Sequence, residues 1–336
     1  MSVLLASFVT LVATAVVWKG SELLETVSHR LAGHYGLPPV IQGSVVAAVG
    51  SSFPELSIAV LSVVRHGAFD LGVGAVVGSA VFNVLVIPAA SALLADEELN
   101  ANRDVVYKEA LFYMLSIAAL LLVFSLGVIY YPHGSGRLMA EIPWWLALLP
   151  IALYGLYVFI QYADTVEYAA APSPAQNIAR EWGLLLLSLG LVLVAVEGFV
   201  YGADVFATTL DVPQAIWGLT VVAAATSLPD TLVSVRAAQR GRSVTSLGNV
   251  FGSNVFDLLV AVPAGIVLAG GAVVNYGLAV PMMAFLVVAT IVLFLTIRTD
   301  LHLSEREATL LLAVYAVFLG WMVLEVVDLV ALVPGI

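Results

Sequence analysis

The chain has 336 residues, of which 62% are hydrophobic and 10% are charged, and its mean hydropathy is +1.06. Soluble domains carry about 25% charged residues, so this composition excludes a soluble protein and predicts a membrane protein. The net charge is −11, and the sequence contains no cysteine, which excludes disulfides, thiolate metal sites and thiol catalysis.

Ten apolar segments follow one another along the chain, and each is long enough to cross a bilayer, which takes about 20 residues. They cover residues 3–28, 38–64, 71–95, 105–130, 143–163, 181–209, 213–239, 245–270, 275–298 and 307–333. The segments lack strict alternation of apolar and polar residues, which favours a helical bundle over a β-barrel. The first segment has neither a preceding basic stretch nor a suitable cleavage site, so we expect a retained helix and not a signal peptide. The sequence therefore predicts an all-α membrane protein with ten transmembrane helices.

A polar stretch rich in alanine and proline separates the ten segments into two sets of five. It reads AAAPSPAQN from Ala169, and we interpret residues 169–180 as a linker. Residues 1–168 then form a first five-helix repeat, and residues 181–336 form a second.

Each half contains a version of the same long motif. The stretch LPPVIQGSVVAAVGSSFPEL from Leu37 corresponds, with a shift of 175 residues, to VPQAIWGLTVVAAATSLPDT from Val212. This alignment places Glu55 on Asp230, each directly after a proline. Duplication of a helix that is interrupted by proline is typical of transporters whose substrate site lies between two repeats.

A second pair of stretches follows the first in each half. GAVVGSAVFNVLV from Gly74 corresponds, with a shift of 174 residues, to GNVFGSNVFDLLV from Gly248. The two copies differ in charge at one position, where Asn83 is replaced by Asp257. Together the paired stretches define one motif at about residues 37–88 and its repeat at about residues 212–263.

The distribution of basic residues predicts the orientation of the chain. With both termini outside the cell, nine basic residues fall in cytoplasmic connections: Arg30, Arg103, Lys108, Arg180, Arg236, Arg240, Arg242, Arg298 and Arg306. Two fall in external connections, Arg65 and Arg137. This bias follows the positive-inside rule. Because each half has an odd number of spans, the second half enters the membrane inverted, and we expect two inverted five-helix repeats.

The first stretch of each motif places a carboxylate and a proline inside an apolar helix. Proline has no N–H, so the carbonyl four residues earlier, at Gly50 or Ala225, loses its helical donor. In lipid, such a carbonyl is tolerated only where it faces protein, water or an ion. A carboxylate at the middle of a membrane helix costs at least about 2.5–3.5 kcal/mol on insertion scales, so the pattern indicates a functional site.

Hydroxyl side chains share a helix face with each carboxylate, because they lie three and four residues before it. They are Ser51 and Ser52 before Glu55, and Thr226 and Ser227 before Asp230. The second stretches add Ser79 four residues before Asn83, and Ser253 four residues before Asp257. Carboxylate, hydroxyl and carbonyl oxygens are hard ligands that suit Na⁺ and Ca²⁺.

Glycine pairs with small-xxx-small spacing let membrane helices approach closely. Gly74 with Gly78, and Gly248 with Gly252, have this spacing. We expect them to bring segments 3 and 8 against segments 2 and 7. The central residues that would then converge are Glu55, Asn83, Asp230 and Asp257.

The two motifs resemble the α-repeats of the sodium/calcium exchanger (cation/Ca²⁺ antiporter) superfamily, and the ten-span layout resembles its compact prokaryotic members. The resemblance implies a secondary active antiporter, not an enzyme, that exchanges Na⁺ for Ca²⁺ across the cell membrane by alternating access. It implies no cofactor: Ca²⁺ and Na⁺ are the transported ions. It assigns Glu55, Asn83, Asp230 and Asp257 as central ligands. The flanking ligands that it implies are Ser51, Ser52, Ser79, Thr226, Ser227, Ser253 and the carbonyls of Ala48 and Ala223.

Three positions depart from the family pattern or vary within it. Ala225 stands where glycine is usual, Asp230 replaces a longer glutamate, and Ala75 stands where asparagine is usual. The GSNVFD segment that ends at Asp257 also resembles potassium-dependent exchangers.

Rival functions stay open at this point. Proton/cation antiport and K⁺-dependent Na⁺/Ca²⁺ exchange fit the same scaffold, since a buried carboxylate can exchange a proton for a cation. A different class is an intramembrane hydrolase that uses Glu55 with Asp230 or Asp257, and another is a passive channel. The hydroxyl-rich faces in both repeats favour sodium-coupled transport. We expect the lipid bilayer as the environment, no nucleic acid and no obligate protein partner.

Two acids in segments 1 and 6, Glu22 and Asp204, are interpreted as membrane-interface residues. Glu197, near the middle of segment 6, fits either bundle packing or a role near the ion path.

Overall fold

The computed structural model of the chain describes residues 3–36, 48–95, 98–134, 138–163, 177–327 and 329–330. This part of the chain is predominantly helical. In chain order the helices are α1 (Val3–His34), α2 (Ala48–Ser51), α3 (Phe53–His66), α4 (Phe69–Leu94), α5 (Ala110–Tyr130), α6 (Leu148–Ala163), α7 (Ile178–Leu210), α8 (Gln214–Trp217), α9 (Ala223–Thr226), α10 (Leu228–Gln239), α11 (Ser243–Phe256), α12 (Val262–Leu268), α13 (Tyr276–Asp300) and α14 (Glu305–Val326). Three π-helical turns extend or join these helices, at Asp104–Glu109, Gly218–Val222 and Asp257–Ala261.

Two small antiparallel sheets tie connections of the first half to connections of the second half. The strands are β1 (Leu99–Asn100), β2 (Met139–Pro143), β3 (Gly271–Asn275) and β4 (His302–Leu303). In one sheet Leu99 pairs with Leu303, and in the other Glu141 pairs with Val273. These pairs satisfy backbone groups where the chain leaves its helices.

Seven helices in the described part of the chain are long and apolar enough to cross a membrane. They are Val3–His34, Phe69–Leu94, Val106–Tyr130, Ile178–Leu210, Ser243–Leu268, Tyr276–Arg298 and Glu305–Val326. An eighth span is formed if Gln214–Thr226 and Leu228–Gln239 count together, with a bend of 43° between them. The membrane class of the protein is thereby confirmed.

The predicted number of ten spans is not reached by these helices. The predicted fifth span corresponds to α6, whose 16 residues fall short of the roughly 20 that cross a bilayer. The predicted second span corresponds to α2 and α3, but residues 37–47 lie outside the described residues. The inverted repeat of five spans likewise stays a prediction.

The two motif helices α4 and α11–α12 form the centre of the bundle. In the most apolar stretch of each of these two helices, 83% of the residues are buried. The corresponding share is 28% in α1, 33% in α7 and 22% in α14. Helices that are apolar all round belong in the interior of a membrane bundle, whereas α1, α7 and α14 present most of their surface outward.

The first helix of each half packs against the other, and the two run antiparallel. Close contacts join Gly20 to Val192, Ala13 to Gly198 and Thr10 to Gly202. The residue numbers fall along α1 as they rise along α7, so the helices point in opposite directions. An inverted second half requires this relation.

The predicted linker, residues 169–180, lies largely outside the described residues, which resume at residue 177. Helix α7 begins at Ile178 because Asn177 caps it, with its side-chain oxygen accepting a hydrogen bond from the Arg180 N–H at 3.1 Å.

Candidate functional site

Both motif helices are broken where the sequence places the proline. In the first motif α2 ends at Ser51 and α3 begins at Phe53, while in the second α9 ends at Thr226 and α10 begins at Leu228. Each proline occupies the first turn of the new helix, where its missing N–H has no intrahelical partner to lose. The predicted interruptions are therefore confirmed.

The two motif acids lie in the first turns that these breaks create. Glu55 is in the first turn of α3, and Asp230 is in the first turn of α10. Both side chains are fully buried. The positive end of a helix dipole favours a carboxylate at this place, so the break provides partial compensation for a charge that is withdrawn from water.

Serine hydroxyls from the partner helices donate hydrogen bonds to both acids. Ser79 donates to Glu55 Oε1 at 3.1 Å, and Ser253 donates to Asp230 Oδ1 at 3.1 Å. Ser79 and Ser253 are equivalent in the two repeats, as are Glu55 and Asp230. The predicted contact of segment 3 with segment 2, and of segment 8 with segment 7, is thus made by equivalent residues.

Hydroxyls also cross from one repeat to the other. The Oγ atoms of Ser79 and Ser227 lie 2.7 Å apart, and those of Ser51 and Ser253 lie 3.3 Å apart. The Ser51 hydroxyl faces Asp230 as well. Its repeat equivalent, Thr226, faces Glu55 in the same way. Each acid therefore meets hydroxyls from both repeats, and the site lies at their interface.

Asn83 joins the first repeat directly to the second acid. Its Nδ2 donates to Asp230 Oδ2 at 3.3 Å and to Asn254 Oδ1 at 2.9 Å. Asn254 in turn donates to the Ala80 carbonyl at 3.2 Å. Both donor hydrogens of Asn83 are thereby engaged, while its buried Oδ1 has no hydrogen-bond partner among the described residues. That oxygen is left as an acceptor for a cation.

Sequence reasoning missed Asn254. Its position in the first repeat is occupied by Ala80, so comparison of the two motifs gives it no counterpart. The signal that would have identified it is an asparagine within an apolar helix, where an unsatisfied amide is costly.

Asp257 is arranged differently from the other two acids. It begins a π-helical turn and is fully buried, and neither carboxylate oxygen has a hydrogen-bond partner in the described part of the chain. The Ser52 hydroxyl faces it but makes no hydrogen bond of normal length. The carboxylate interacts electrostatically with Glu55 and Asp230, and it also lies near the tyrosines Tyr113 and Tyr154.

The convergence that the sequence predicts is therefore only partly present. Asn83 contacts Asp230, and Glu55 reaches the second repeat through Ser79 and Ser227. Within the described ranges, however, no three acidic or histidine side chains form a group compact enough to hold one metal ion. Asp257 interacts electrostatically with Glu55 and Asp230 but makes no hydrogen bond with them or with any other described residue.

The charge of the site has no cationic partner among the residues that the structure describes. Among the ion pairs of the described residues, none involves Glu55, Asp230 or Asp257. Uncompensated buried charges cost several kcal/mol each. Protons or cations from solution are needed to neutralise these carboxylates, and the surrounding hydroxyl, amide and carboxylate oxygens match the hard ligands of Na⁺ and Ca²⁺.

Close packing at glycine brings segment 3 against segment 7. A Cβ atom added at Gly74 would lie 2.6 Å from the Ala215 carbonyl oxygen, and one at Gly78 would lie 2.3 Å from that of Leu219. Both distances are shorter than any side chain permits. The predicted role of this glycine pair is confirmed. Among the described residues, a Cβ atom added at Gly252 would meet only the Tyr157 hydroxyl, at 4.0 Å, and one added at Gly248 would meet nothing within 4 Å. Close packing of this second glycine pair stays a prediction.

The two predicted carbonyl ligands lie close to the breaks. Ala48 begins α2, and Ala223 begins α9. The Ala223 carbonyl accepts hydrogen bonds from the Ser227 N–H at 3.0 Å and from the Thr226 hydroxyl at 3.3 Å. Movement of the Thr226 hydroxyl would leave one lone pair of this carbonyl open to an ion.

The acids of segments 1 and 6 make ion pairs outside the site. Glu197 pairs with Arg65 and His66, and Glu22 pairs with Lys19 and Arg236. Asp204 accepts a long hydrogen bond from Gln214 at 3.5 Å. Glu197, which the sequence left open between two roles, therefore joins α7 to the end of α3.

Comparison with known proteins gives one family for most of the chain. A family model described as sodium/calcium exchanger protein matches residues 5–163 and 180–324. An uncharacterized membrane protein of Methanocaldococcus jannaschii is 27% identical over 91% of this chain and 94% of its own length. The sodium/calcium exchanger MaX1 of Methanosarcina acetivorans is 25% identical over 90% of this chain and 93% of its own. The human sodium/potassium/calcium exchanger 5 is 25% identical, over 70% of this chain and 64% of its own.

Solved structures share the fold. A structure of the sodium-calcium exchanger NCX_Mj soaked with Na⁺ and Sr²⁺ superposes with a TM-score of 0.63 at 24% identity, over 95% of this chain and 99% of that one. A second structure of the same exchanger, soaked with Na⁺ in the absence of Ca²⁺, gives a TM-score of 0.61 at 25% identity with the same coverage.

Proposed function

The chain belongs to the sodium/calcium exchanger family, and we propose that it is a secondary active antiporter that exchanges Na⁺ for Ca²⁺ across the cell membrane by alternating access. The family is one of transporters, so the hydrolase hypothesis is set aside. The transported ions are Ca²⁺ and Na⁺, and the lipid bilayer is the protein's environment.

One observation carries the proposal: the reciprocal arrangement of acids and hydroxyls at the two helix breaks. The Glu55 carboxylate interacts with the hydroxyl of Ser79 from its own repeat and with that of Thr226 from the other repeat. The Asp230 carboxylate interacts with the hydroxyl of Ser253 from its own repeat and with that of Ser51 from the other. A site built equally from two repeats is suited to opening toward either side, because a small relative movement of the repeats changes both halves of the coordination shell.

The proposed ligands are those that the sequence motifs supply. Glu55, Asn83, Asp230 and Asp257 are proposed as central ligands. The flanking ligands are Ser51, Ser52, Ser79, Thr226, Ser227, Ser253 and the carbonyls of Ala48 and Ala223. Glu55 and Asp230 are held at helix N-termini, and neither has a basic partner in the described part of the chain. The Asn83 Oδ1, which accepts no hydrogen bond from a described residue, is an acceptor at the same place. Both features favour cation binding.

The proposed architecture is two inverted five-helix repeats, residues 1–168 and 181–336, joined by the linker 169–180. The antiparallel packing of α1 on α7 and the equivalent breaks before Glu55 and Asp230 support it. With the proposed ten spans, the bias of basic residues toward one side supports an orientation with both termini outside the cell.

A second candidate is K⁺-dependent exchange on the same scaffold. Asp257 is the observation that favours it, because its buried carboxylate carries a third negative charge and has no hydrogen-bond partner among the described residues. Ca²⁺ compensates two charges, so a monovalent cation or a proton would balance the third.

Transport of radioactive calcium into Na⁺-loaded proteoliposomes tests the proposal, with external Na⁺ and K⁺ varied separately. Uptake that requires an outward Na⁺ gradient and is independent of K⁺ supports Na⁺/Ca²⁺ exchange. Uptake that is lost without K⁺ supports the second candidate. Uptake that is driven by a pH gradient in the absence of Na⁺ would show proton/cation antiport and overturn the proposal.

A further inference from the structure

A fourth carboxylate lies beside the site, on a helix outside both motifs. Glu25 is on α1, which ends before the first motif begins. Its partly buried carboxylate interacts electrostatically with Asp230, with Arg236 and with Glu22. Among the ion pairs of the described residues, none includes Glu25. Glu25 is therefore an acid near the site that the ligands assigned above do not include.

The backbone of Glu25 packs against the first motif close to the point where its helix is broken. A Cβ atom added at Gly50 would lie 3.4 Å from the Glu25 Cα. Gly50 is in the short helix α2, and Pro54 cannot donate a helical hydrogen bond to its carbonyl. The Glu25 side chain thus leaves α1 beside this break, and it interacts with Asp230 of the other repeat.

A buried hydroxyl accompanies Glu25 on the same face of α1. Ser21 lies four residues before Glu25, so the two side chains are neighbours on the helix surface. The Ser21 side chain is 1% exposed, and its hydroxyl has no hydrogen-bond partner among the described residues. Ser79 and Asn83 have the same spacing in α4. The face with Ser21 and Glu25 is therefore turned to the bundle and presents a hydroxyl oxygen beside a carboxylate.

The charges around Glu25 favour binding of a divalent cation. Glu25 and Asp230 repel each other when both are ionised, and the nearby base, Arg236, already pairs with Glu22 at 3.7 Å. An acid inside a membrane helix needs a partner or a function. Two carboxylates balance the two charges of Ca²⁺, and the Ser21 hydroxyl adds a neutral oxygen ligand. Because these protein ligands are few, a bound Ca²⁺ would keep part of its water.

The residues around Glu25 lie on one side of the two site acids. Gly50 comes five residues before Glu55, in a segment that is predicted to enter the membrane from the cytoplasm. Arg236 comes six residues after Asp230 in α10, and it is one of the basic residues that predict the cytoplasmic side. In the proposed orientation, Glu25 is therefore on the cytoplasmic side of the site.

From this arrangement we propose that Glu25 and Ser21 form, together with Asp230, an additional Ca²⁺ site at the cytoplasmic edge of the exchange site. Asp230 belongs to both sites, so an ion that is held at the additional site can pass to the central ligands without losing all of its carboxylate contacts. The proposal rests on the proposed function and orientation. It differs from a structural role for Glu25, in which the acid would only hold Arg236 in place.

Membrane vesicles of a single orientation test the proposal, because they expose one face of the protein at a time. Na⁺-driven uptake of radioactive calcium is measured in inverted and in right-side-out vesicles, with vesicles from cells that lack the protein as background. Glu25→Gln should raise the Ca²⁺ concentration for half-maximal uptake about fivefold at the cytoplasmic face, since it removes one charge that attracts the ion. Ser21→Ala should raise it about twofold at the same face, since it removes a neutral ligand. Neither variant should change the value at the outer face.

Glu22→Gln is the matched control, because Glu22 is on the same helix and shares Arg236 with Glu25. It should transport like the parent protein at both faces. Glu25→Asp keeps the charge and should keep most of the affinity, since a partly hydrated ion tolerates a shorter side chain. Glu25→Gln should melt at or above the parent's temperature in the absence of Ca²⁺, because an acid is removed from a membrane helix.

An unchanged value at the cytoplasmic face in Glu25→Gln would overturn the proposal, and so would an equal change at both faces or a change at the outer face alone. The same change in Glu22→Gln would also overturn it, because both acids would then act through Arg236. Absence of exchange in the parent protein would instead count against the proposed function. Equilibrium dialysis of the purified protein with radioactive calcium then decides: weaker binding by Glu25→Gln supports the additional site, whereas parent affinity, or no binding by the parent, overturns it.

Discussion

Replacement of Gly78 by alanine tests the packing that holds the site together. The added Cβ would lie 2.3 Å from the Leu219 carbonyl oxygen and 2.7 Å from its Cα. Carbon–oxygen contacts in proteins are about 3.3 Å or longer, so α4 and the facing π-helical turn must separate by about 1 Å. The obstacle is backbone and cannot rotate away, so we expect a stability loss at the upper end of the roughly 1–3 kcal/mol range for overpacking.

The same movement of α4 would displace Ser79 in the site, because Ser79 follows Gly78 directly in the chain. The Ser79–Ser227 contact is 2.7 Å, and a shift of about 1 Å takes it beyond hydrogen-bond length. We expect Ca²⁺ uptake to fall about tenfold or more, since displacement of a functional group by 1 Å can have effects of this size. Thermal unfolding in detergent and Na⁺-driven uptake in proteoliposomes measure the two effects.

Gly320→Ala is the matched control, because Gly320 is exposed on α14 and an added Cβ would meet no atom of the described residues within 4 Å. This variant should keep the parent's melting temperature and uptake. Parent stability and uptake in Gly78→Ala would show that α4 and the Gly218–Val222 turn are not packed this closely, since a contact this close cannot accept a methyl group without moving.

Three further outcomes are expected. Asp257→Asn should retain substantial exchange in the uptake assay, because the carboxylate makes no hydrogen bond among the described residues; total loss would show that the third charge is needed. Asn254→Ala should raise the Ca²⁺ concentration for half-maximal uptake about fivefold to tenfold, as Asn83 loses its 2.9 Å partner, and an unchanged value would remove Asn254 from the site. Epitope tags at both termini should be accessible from outside intact cells; labelling only after permeabilisation would contradict the proposed orientation.

The sequence was most informative where a residue's own covalent structure determines the local backbone, whatever the tertiary contacts are. Proline cannot continue a helix hydrogen-bond ladder in any environment, so the breaks before Glu55 and Asp230 were predictable and are confirmed. The close approach of the Ala215 and Leu219 backbone to Gly74 and Gly78 is likewise possible because glycine has no side chain. The sequence assigned Ser79 and Glu55 to one site, but the hydrogen bond between them is known only from the structure.

Features that belong to one repeat only, or to tertiary geometry, were not predictable in this way. Asn254 has no repeat equivalent, and its contact with Asn83 exists because α4 and α11 cross at that level. The partners of Glu197 are 131 and 132 residues away along the chain, and no local pattern indicates them.

Asp257 and the number of spans show a further limit. Helical spacing placed Asp257 on the same face as Ser253, but it did not indicate that the Asp257 carboxylate lacks a hydrogen-bond partner among the described residues, because such partners come from other helices. The fifth predicted span, residues 143–163, contains an apolar run of sufficient length. Its first residue, however, is the last residue of strand β2, and its next four residues form a turn before α6 begins. Hydropathy depends on the number of apolar residues in a segment and does not indicate where the helix begins.

The central claim is that the paired breaks form the site of Na⁺/Ca²⁺ exchange. Na⁺-driven uptake of radioactive calcium by Glu55→Gln and Asp230→Asn proteoliposomes tests it most directly. Each amide keeps the size of the side chain and removes one buried anionic ligand. Asp204→Asn is the control, because Asp204 is an exposed acid of α7 outside the site.

Both site variants should fold, as judged by their melting temperatures, and should lose Ca²⁺ uptake, while Asp204→Asn transports like the parent protein. Exchange at the parent rate in both Glu55→Gln and Asp230→Asn would show that the paired breaks are not the site of exchange.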